Sequence, residues 1–171
     1  MASPLSALPT LYYTHAAAQG LGNIGRGMVK NLYEQGPEEC QSITIYNRTA
    51  SKAVALKVGI VASSVTDAVS KSDIIFTCLG DDKAMMETIT EALKSDVKGK
   101  LFVDCSTIHP DTTDKLDKMI QEAGAGLVAM PVFGARTSTF ADEGLSLIVR
   151  DSCNGRLRQP RLRTFWSRIP H

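Results

Sequence analysis

The chain has 171 residues, 43% of them apolar, a composition that excludes extensive disorder and a length that suits one ordinary domain rather than two full lobes. The net charge of +1 hides a split: residues 1–149 carry 13 basic and 17 acidic side chains, whereas residues 150–171 carry six arginines against Asp151, so the body is not built to bind nucleic acid. No apolar run approaches the roughly 20 residues that cross a bilayer, and four dispersed cysteines (Cys40, Cys78, Cys105, Cys153) lack the spacing of a zinc site or disulfide scaffold, which points to the cytosol.

Residues 1–13 read as an irregular N-terminus, and Met1 to Thr10 lacks the Lys or Arg of a secretory or transit peptide. The first strand belongs at about Thr14 to Gln19, yet His15-Ala16-Ala17-Ala18-Gln19 has low strand propensity and predicts an underpacked sheet centre. Gly20-Leu21-Gly22-Asn23-Ile24-Gly25 then reads G-x-G-x-x-G. In that motif the first glycine permits a tight turn, the second lets a pyrophosphate approach the backbone, and the third lets helix and strand pack closely. Ile24, Met28 and Leu32 repeat at helical spacing behind it, and Gly36-Pro37 closes the helix.

A second strand, Ser42 to Asn47, follows at the distance of a βαβ unit and ends in Asn47-Arg48-Thr49, with Lys52 close behind. A dinucleotide site usually places Asp or Glu there to take the ribose 2′-hydroxyl of NAD. Neutral Asn47 and the Arg48 guanidinium suit a 2′-phosphate instead, so the pattern predicts NADP. The alternative is a helix cap beside a solvent-exposed arginine.

Further strands are predicted at Ile60 to Ala62, Asp73 to Leu79, Leu101 to Asp104, Gly126 to Met130 and Leu145 to Val149. Met85, Ile89 and Leu93 mark one intervening helix; Leu116, Met119, Ile120 and Ala123 mark another, which opens at Pro110 and stops at Gly124. The alternation predicts an α/β fold over residues 14–149, a Rossmann-type doubly wound, mostly parallel sheet. Residues 150–171 read as a poorly ordered Arg-rich tail.

Five segments occur here in the order of one family: Gly20 to Leu32, Asn47-Arg48-Thr49, Cys78-Leu79-Gly80-Asp81-Asp82, the run from Asp104 to Thr113, and Met130-Pro131-Val132-Phe133-Gly134-Ala135. Together they resemble the N-terminal domain of the β-hydroxyacid dehydrogenases, the group that includes 3-hydroxyisobutyrate dehydrogenase and is related to 6-phosphogluconate dehydrogenase. The resemblance covers roughly residues 20–149 and implies NADP contact at Gly20 to Gly25, Asn47, Arg48, Thr49, Cys78, Leu79 and Thr107. It implies substrate contact at Ser106, Thr107, Phe133, Gly134 and Ala135, with a small hydroxy acid or aldehyde as substrate. Ser106 and Thr107 also read as helix caps before Pro110, and Cys78 and Cys105 as buried inert thiols.

Phe133 and Ala135 depart from the family pattern and leave the substrate open. The family also takes its proton-transfer lysine from a helix after the Pro-Val-x-Gly segment, at the start of an all-helical second domain. Here the last lysine is Lys118, and neither that lysine nor that domain has a counterpart. The expectation is an NADP-binding domain, truncated relative to the family and without independent catalysis. Two alternatives stand beside it: an active dehydrogenase or aldehyde reductase using His109 or Asp104 as proton donor, and a non-enzymatic interaction protein using the basic tail.

Overall fold

The computed structural model describes residues 16–35, 42–133 and 146–147. The segments expected to be irregular, 1–13 and 150–171, lie outside the described residues. Six strands form one all-parallel sheet: β1 (Ala16–Gln19), β2 (Thr44–Tyr46), β3 (Ile60–Val61), β4 (Ile74–Thr77), β5 (Leu101–Asp104) and β6 (Gly126–Ala129). Their order across the sheet is β3-β2-β1-β4-β5-β6, the doubly wound arrangement in which the chain reverses direction beside β1. A ligand crevice opens at such a reversal, beyond the carboxyl ends of β1 and β4.

Both faces of the sheet are covered, which is why β4 and β5 are buried at every residue and read as continuous apolar runs. Side chains alternate between two cores. Ile74, Phe76, Leu101 and Val103 pack on one face with Met28, Val29 and Leu32 of α1 (Asn23–Gln35). Ile75 and Phe102 pack on the other with Met85 and Ile89 of α4 (Asp82–Ala92), and with Leu116 and Ile120 of α5 (Pro110–Glu122). Between these lie α2 (Ala50–Val54) and α3 (Val65–Ser70), helices of 5 and 6 residues that the sequence pattern does not predict, being too short to repeat an apolar face.

The structure corrects several boundaries. Ser42, Ile43 and Asn47 fall outside β2, Ala62 outside β3, Asp73, Cys78 and Leu79 outside β4, and Met130 outside β6, although the Ile43 and Asp73 carbonyls and the Ala62, Cys78 and Met130 N–H groups still bond to neighbouring strands. Leu93 is the C-cap of α4 rather than part of it, while Gly124, with φ +80°, follows the C-cap of α5 in the left-handed conformation that glycine favours there. Of the strand expected at Leu145 to Val149, only β8 (Ser146–Leu147) is described, and it pairs antiparallel with β7 (Val132–Phe133) instead of extending the parallel sheet.

The alanine-rich first strand forms. β1 is the central strand, paired along its length with β4 and at Ala17, Ala18 and Gln19 with β2. Pairing on both sides outweighs a difference in propensity that spans only about 1 kcal/mol across residue types.

Candidate functional site

The glycine turn leaves β1 and enters α1 at the point of chain reversal. Gly20 has φ +92°, and a Cβ there would run into the Cys78 carbonyl; a Cβ on Gly25 would run into the Gly20 carbonyl. These two glycines therefore shape the turn. Gly22 is different: nothing lies within 4 Å of where its Cβ would stand, so its face is open to a ligand. The first helical bond of α1 runs from the Arg26 N–H to the Gly22 carbonyl at 3.0 Å. Preceding N–H groups at a helix start have no intrahelical partner, and they carry the positive end of the helix dipole. Open backbone beside such a terminus fits a pyrophosphate.

The turn is tied to the end of β2. Asn47 Oδ1 accepts the Leu21 N–H at 2.9 Å, and Asn47 Nδ2 donates to the Thr49 carbonyl at 2.9 Å. A groove of about 680 Å³ runs from this tie across the crevice, a volume in the range of small-molecule sites. Gly20, Leu21, Gly22, Ile24, Gly25, Asn47, Arg48, Thr49, Cys78 and Leu79 line it, so ten of the twelve expected cofactor contacts share one groove. Arg48 is exposed at its mouth beside Lys52. Thr49 is the N-cap of α2, but its side chain makes no capping bond.

Thr107 is exposed and does not line the groove, and the side chain of Asn23 lies outside the described residues. Ser106 is buried and engaged: its Oγ accepts the Leu79 N–H at 2.9 Å and joins the loops after β4 and β5. It is neither a helix cap nor part of the groove wall. The cap of α5 is His109, whose ring accepts the Asp111 N–H at 3.2 Å, while its own N–H donates to Asp82 at 2.9 Å. Hydrogen bonds from Thr112 and from the His109 backbone hold the half-buried Asp82 carboxyl below the usual range. Phe133 ends β7 with its side chain outside the described residues, as are Gly134 and Ala135 entirely.

Asp104 ends β5 in a buried position, where it accepts bonds from Thr77 Oγ1 and the Ser106 N–H, both at 2.9 Å. Burial pushes its carboxyl up, and these bonds from Ser106 and Thr77 oppose the rise. Neither Asp104 nor His109 reaches the groove wall. Burial, with the Asp104 carboxylate second, pushes the Cys78 thiol up to about 11; burial likewise raises Cys105 well above the ordinary thiol value.

The opposite wall is contributed by α3 and α4, through Val65, Ala84, Glu87, Thr88 and Glu91, and Gln19 lies at the floor. The sequence pattern flags none of these. The α4 residues fall on the helix flank beside the buried Met85–Ile89 stripe, and only the fold brings that flank to the glycine turn.

The NAD binding domain of 6-phosphogluconate dehydrogenase matches residues 16–149. The chain belongs to this family. Among its relatives, the NADH-dependent oxidoreductase ucdB of Aspergillus ustus is 41% identical over 115 residues, covering 65% of this chain and 40% of that protein. Among solved structures, Mycobacterium tuberculosis 3-hydroxyisobutyrate dehydrogenase with L-serine superposes at TM-score 0.64 with 27% identity, over 73% of this chain and 42% of that one. A Mycobacterium avium 104 protein reaches TM-score 0.75 at 22% identity, over 90% of this chain and 53% of that one, a likeness of fold. The chain thus spans about half, or less, of the length of the proteins it resembles. No helix among the described residues is long and apolar enough to cross a membrane.

Proposed function

We propose that these 171 residues form an NADP(H)-binding unit of 3-hydroxyisobutyrate dehydrogenase type that holds the dinucleotide but does not itself transfer the substrate proton. The observation that carries the reading is the groove itself: an open Gly22 beside a helix start at one end, and Arg48 with Lys52 at the other. In this reading the N-terminus of α1 takes the pyrophosphate, and the Arg48 guanidinium takes the 2′-phosphate through charge-assisted bonds. The bound nicotinamide supplies or accepts the hydride. Ser106, Thr107, Phe133, Gly134 and Ala135 are proposed to face the substrate carboxylate.

NADH is the second reading, favoured by the naming of the Aspergillus ustus relative as NADH-dependent. Calorimetric titration with both nucleotides separates the two. NADPH is expected to bind about ten- to a hundredfold more tightly, and Arg48→Ala to erase that preference. Equal affinities, or an Arg48→Ala protein that keeps its NADPH affinity, would overturn the NADP assignment.

A further inference from the structure

Gln19 is the last residue of β1 and is 2% exposed, yet neither Nε2 nor Oε1 of its carboxamide has a hydrogen-bond partner among the described residues. The Gln19 carbonyl accepts the Cys78 N–H at 2.9 Å, and the sheet register fixes the residue between Tyr46 and Thr77. Successive side chains of a strand point to opposite faces. Ala18 packs with Leu21, Met28 and Val29 on the α1 side, so Gln19 projects to the other face, where Tyr46, Val65, Ala84 and Thr88 wall the groove above it.

A buried carboxamide with its donor and acceptor both unpaired destabilises the free protein, and an apolar residue would serve the sheet better. The chemistry that satisfies it must offer an acceptor and a donor side by side. Phosphate oxygens only accept and would leave Oε1 orphaned. The edge of adenine, with its amino group next to a ring nitrogen, matches a carboxamide in both senses. The groove above Gln19 also leads to Lys52 and to Arg48, the cation proposed above for the phosphate on the adenosine ribose. We propose that Gln19 is a nucleotide-recognition residue whose carboxamide pairs with the amino edge of the dinucleotide's adenine.

The inference rests on the dinucleotide reading, and the experiment separates the two. Gln19→Leu is titrated with NADPH by calorimetry beside the wild type, and both are melted without nucleotide. The expected result is affinity reduced roughly tenfold, for two net hydrogen bonds lost, together with a higher melting temperature of the free protein. In the wild type, the Gln19 side-chain amide resonances should shift on addition of 2′,5′-ADP and stay in place with ribose 5-phosphate. That arm decides the matter even if Gln19→Leu does not fold. Wild-type binding of NADPH combined with unmoved amide resonances, or with equal affinity in Gln19→Leu, overturns the role of Gln19 alone. No NADPH binding by the wild type overturns the cofactor reading as well.

Discussion

Asn47 and Leu21 stand 26 residues apart in sequence, and the Asn47 side-chain oxygen accepts the Leu21 backbone N–H at 2.9 Å. The residue at the end of β2 therefore holds the glycine turn in shape, in addition to any contact with a nucleotide. Two substitutions separate these roles. Asn47→Ala should leave the Leu21 N–H unpaired and lower stability by about 1–3 kcal/mol, read from urea unfolding. Asn47→Asp keeps the acceptor and should retain most of that stability, while its carboxylate repels a 2′-phosphate and moves the preference toward NADH. An Asn47→Ala protein as stable as the wild type would remove the structural role.

The parts of this site differ in how far the sequence betrays them. Gly20 and Gly25 are visible because the turn leaves no room for a side chain there, Gly22 because the spacing of the motif marks it, and Arg48 because it follows the position where a carboxylate is customary. β1 is hard to see because Ala16, Ala17 and Ala18 carry no strand signal, and the decision is made by its two neighbours in the sheet. Ser106 misleads for a different reason. A hydroxyl before a helix reads as a cap, but His109 occupies that position and Ser106 instead bridges to Leu79. Gln19 and the α4 wall are beyond local pattern altogether, since their meaning depends on which strand lies beside which.

Asp104 should act on stability in the opposite direction to Asp67 and Asp82. The native carboxyl of Asp104 is raised, so the folded protein binds that proton more tightly than the unfolded chain does. Its contribution is full below the ordinary aspartate value of about 3.9 and is lost as pH rises from there through the higher native value. Asp67 and Asp82 are lowered, Asp67 chiefly by its bond with Lys71, so their contribution is present above about 3.9 and is lost as pH falls through their native values. Urea midpoints measured from pH 3 to 8 should show a decline above about 3.9 that Asp104→Asn removes. Parallel profiles for the two proteins over that range would refute it.

Cys78 touches the groove but should be chemically quiet. With its thiol pushed up to about 11, only roughly one part in a thousand is thiolate at pH 8, against about a quarter for an ordinary cysteine. Iodoacetamide should therefore label Cys78 about two orders of magnitude more slowly than an exposed thiol, with Cys105 slower still. Asp104→Asn removes a nearby negative charge and should speed labelling of Cys78, as peptide mass spectrometry would resolve. Cys105 is buried as expected, whereas Cys78 is only half-buried, and rapid labelling of Cys78 in the native protein would contradict its raised thiol.

The remaining question is whether this chain turns over a substrate. Reducing a carbonyl by hydride requires a proton at its oxygen, and the two candidate donors, His109 and Asp104, are otherwise engaged. The His109 ring caps α5 by accepting the Asp111 N–H, and Asp104 is buried with bonds from Thr77 and Ser106; neither lines the groove. Loss of a general acid costs about 10² to 10⁴ in rate. The 171-residue chain should therefore bind NADPH yet leave its absorbance steady with succinic semialdehyde, glyoxylate or methylmalonate semialdehyde. Sustained NADPH oxidation at ordinary enzyme rates, abolished by His109→Ala or Asp104→Asn, would show that one of these groups leaves its structural bond to donate the proton, and that the chain is an enzyme on its own.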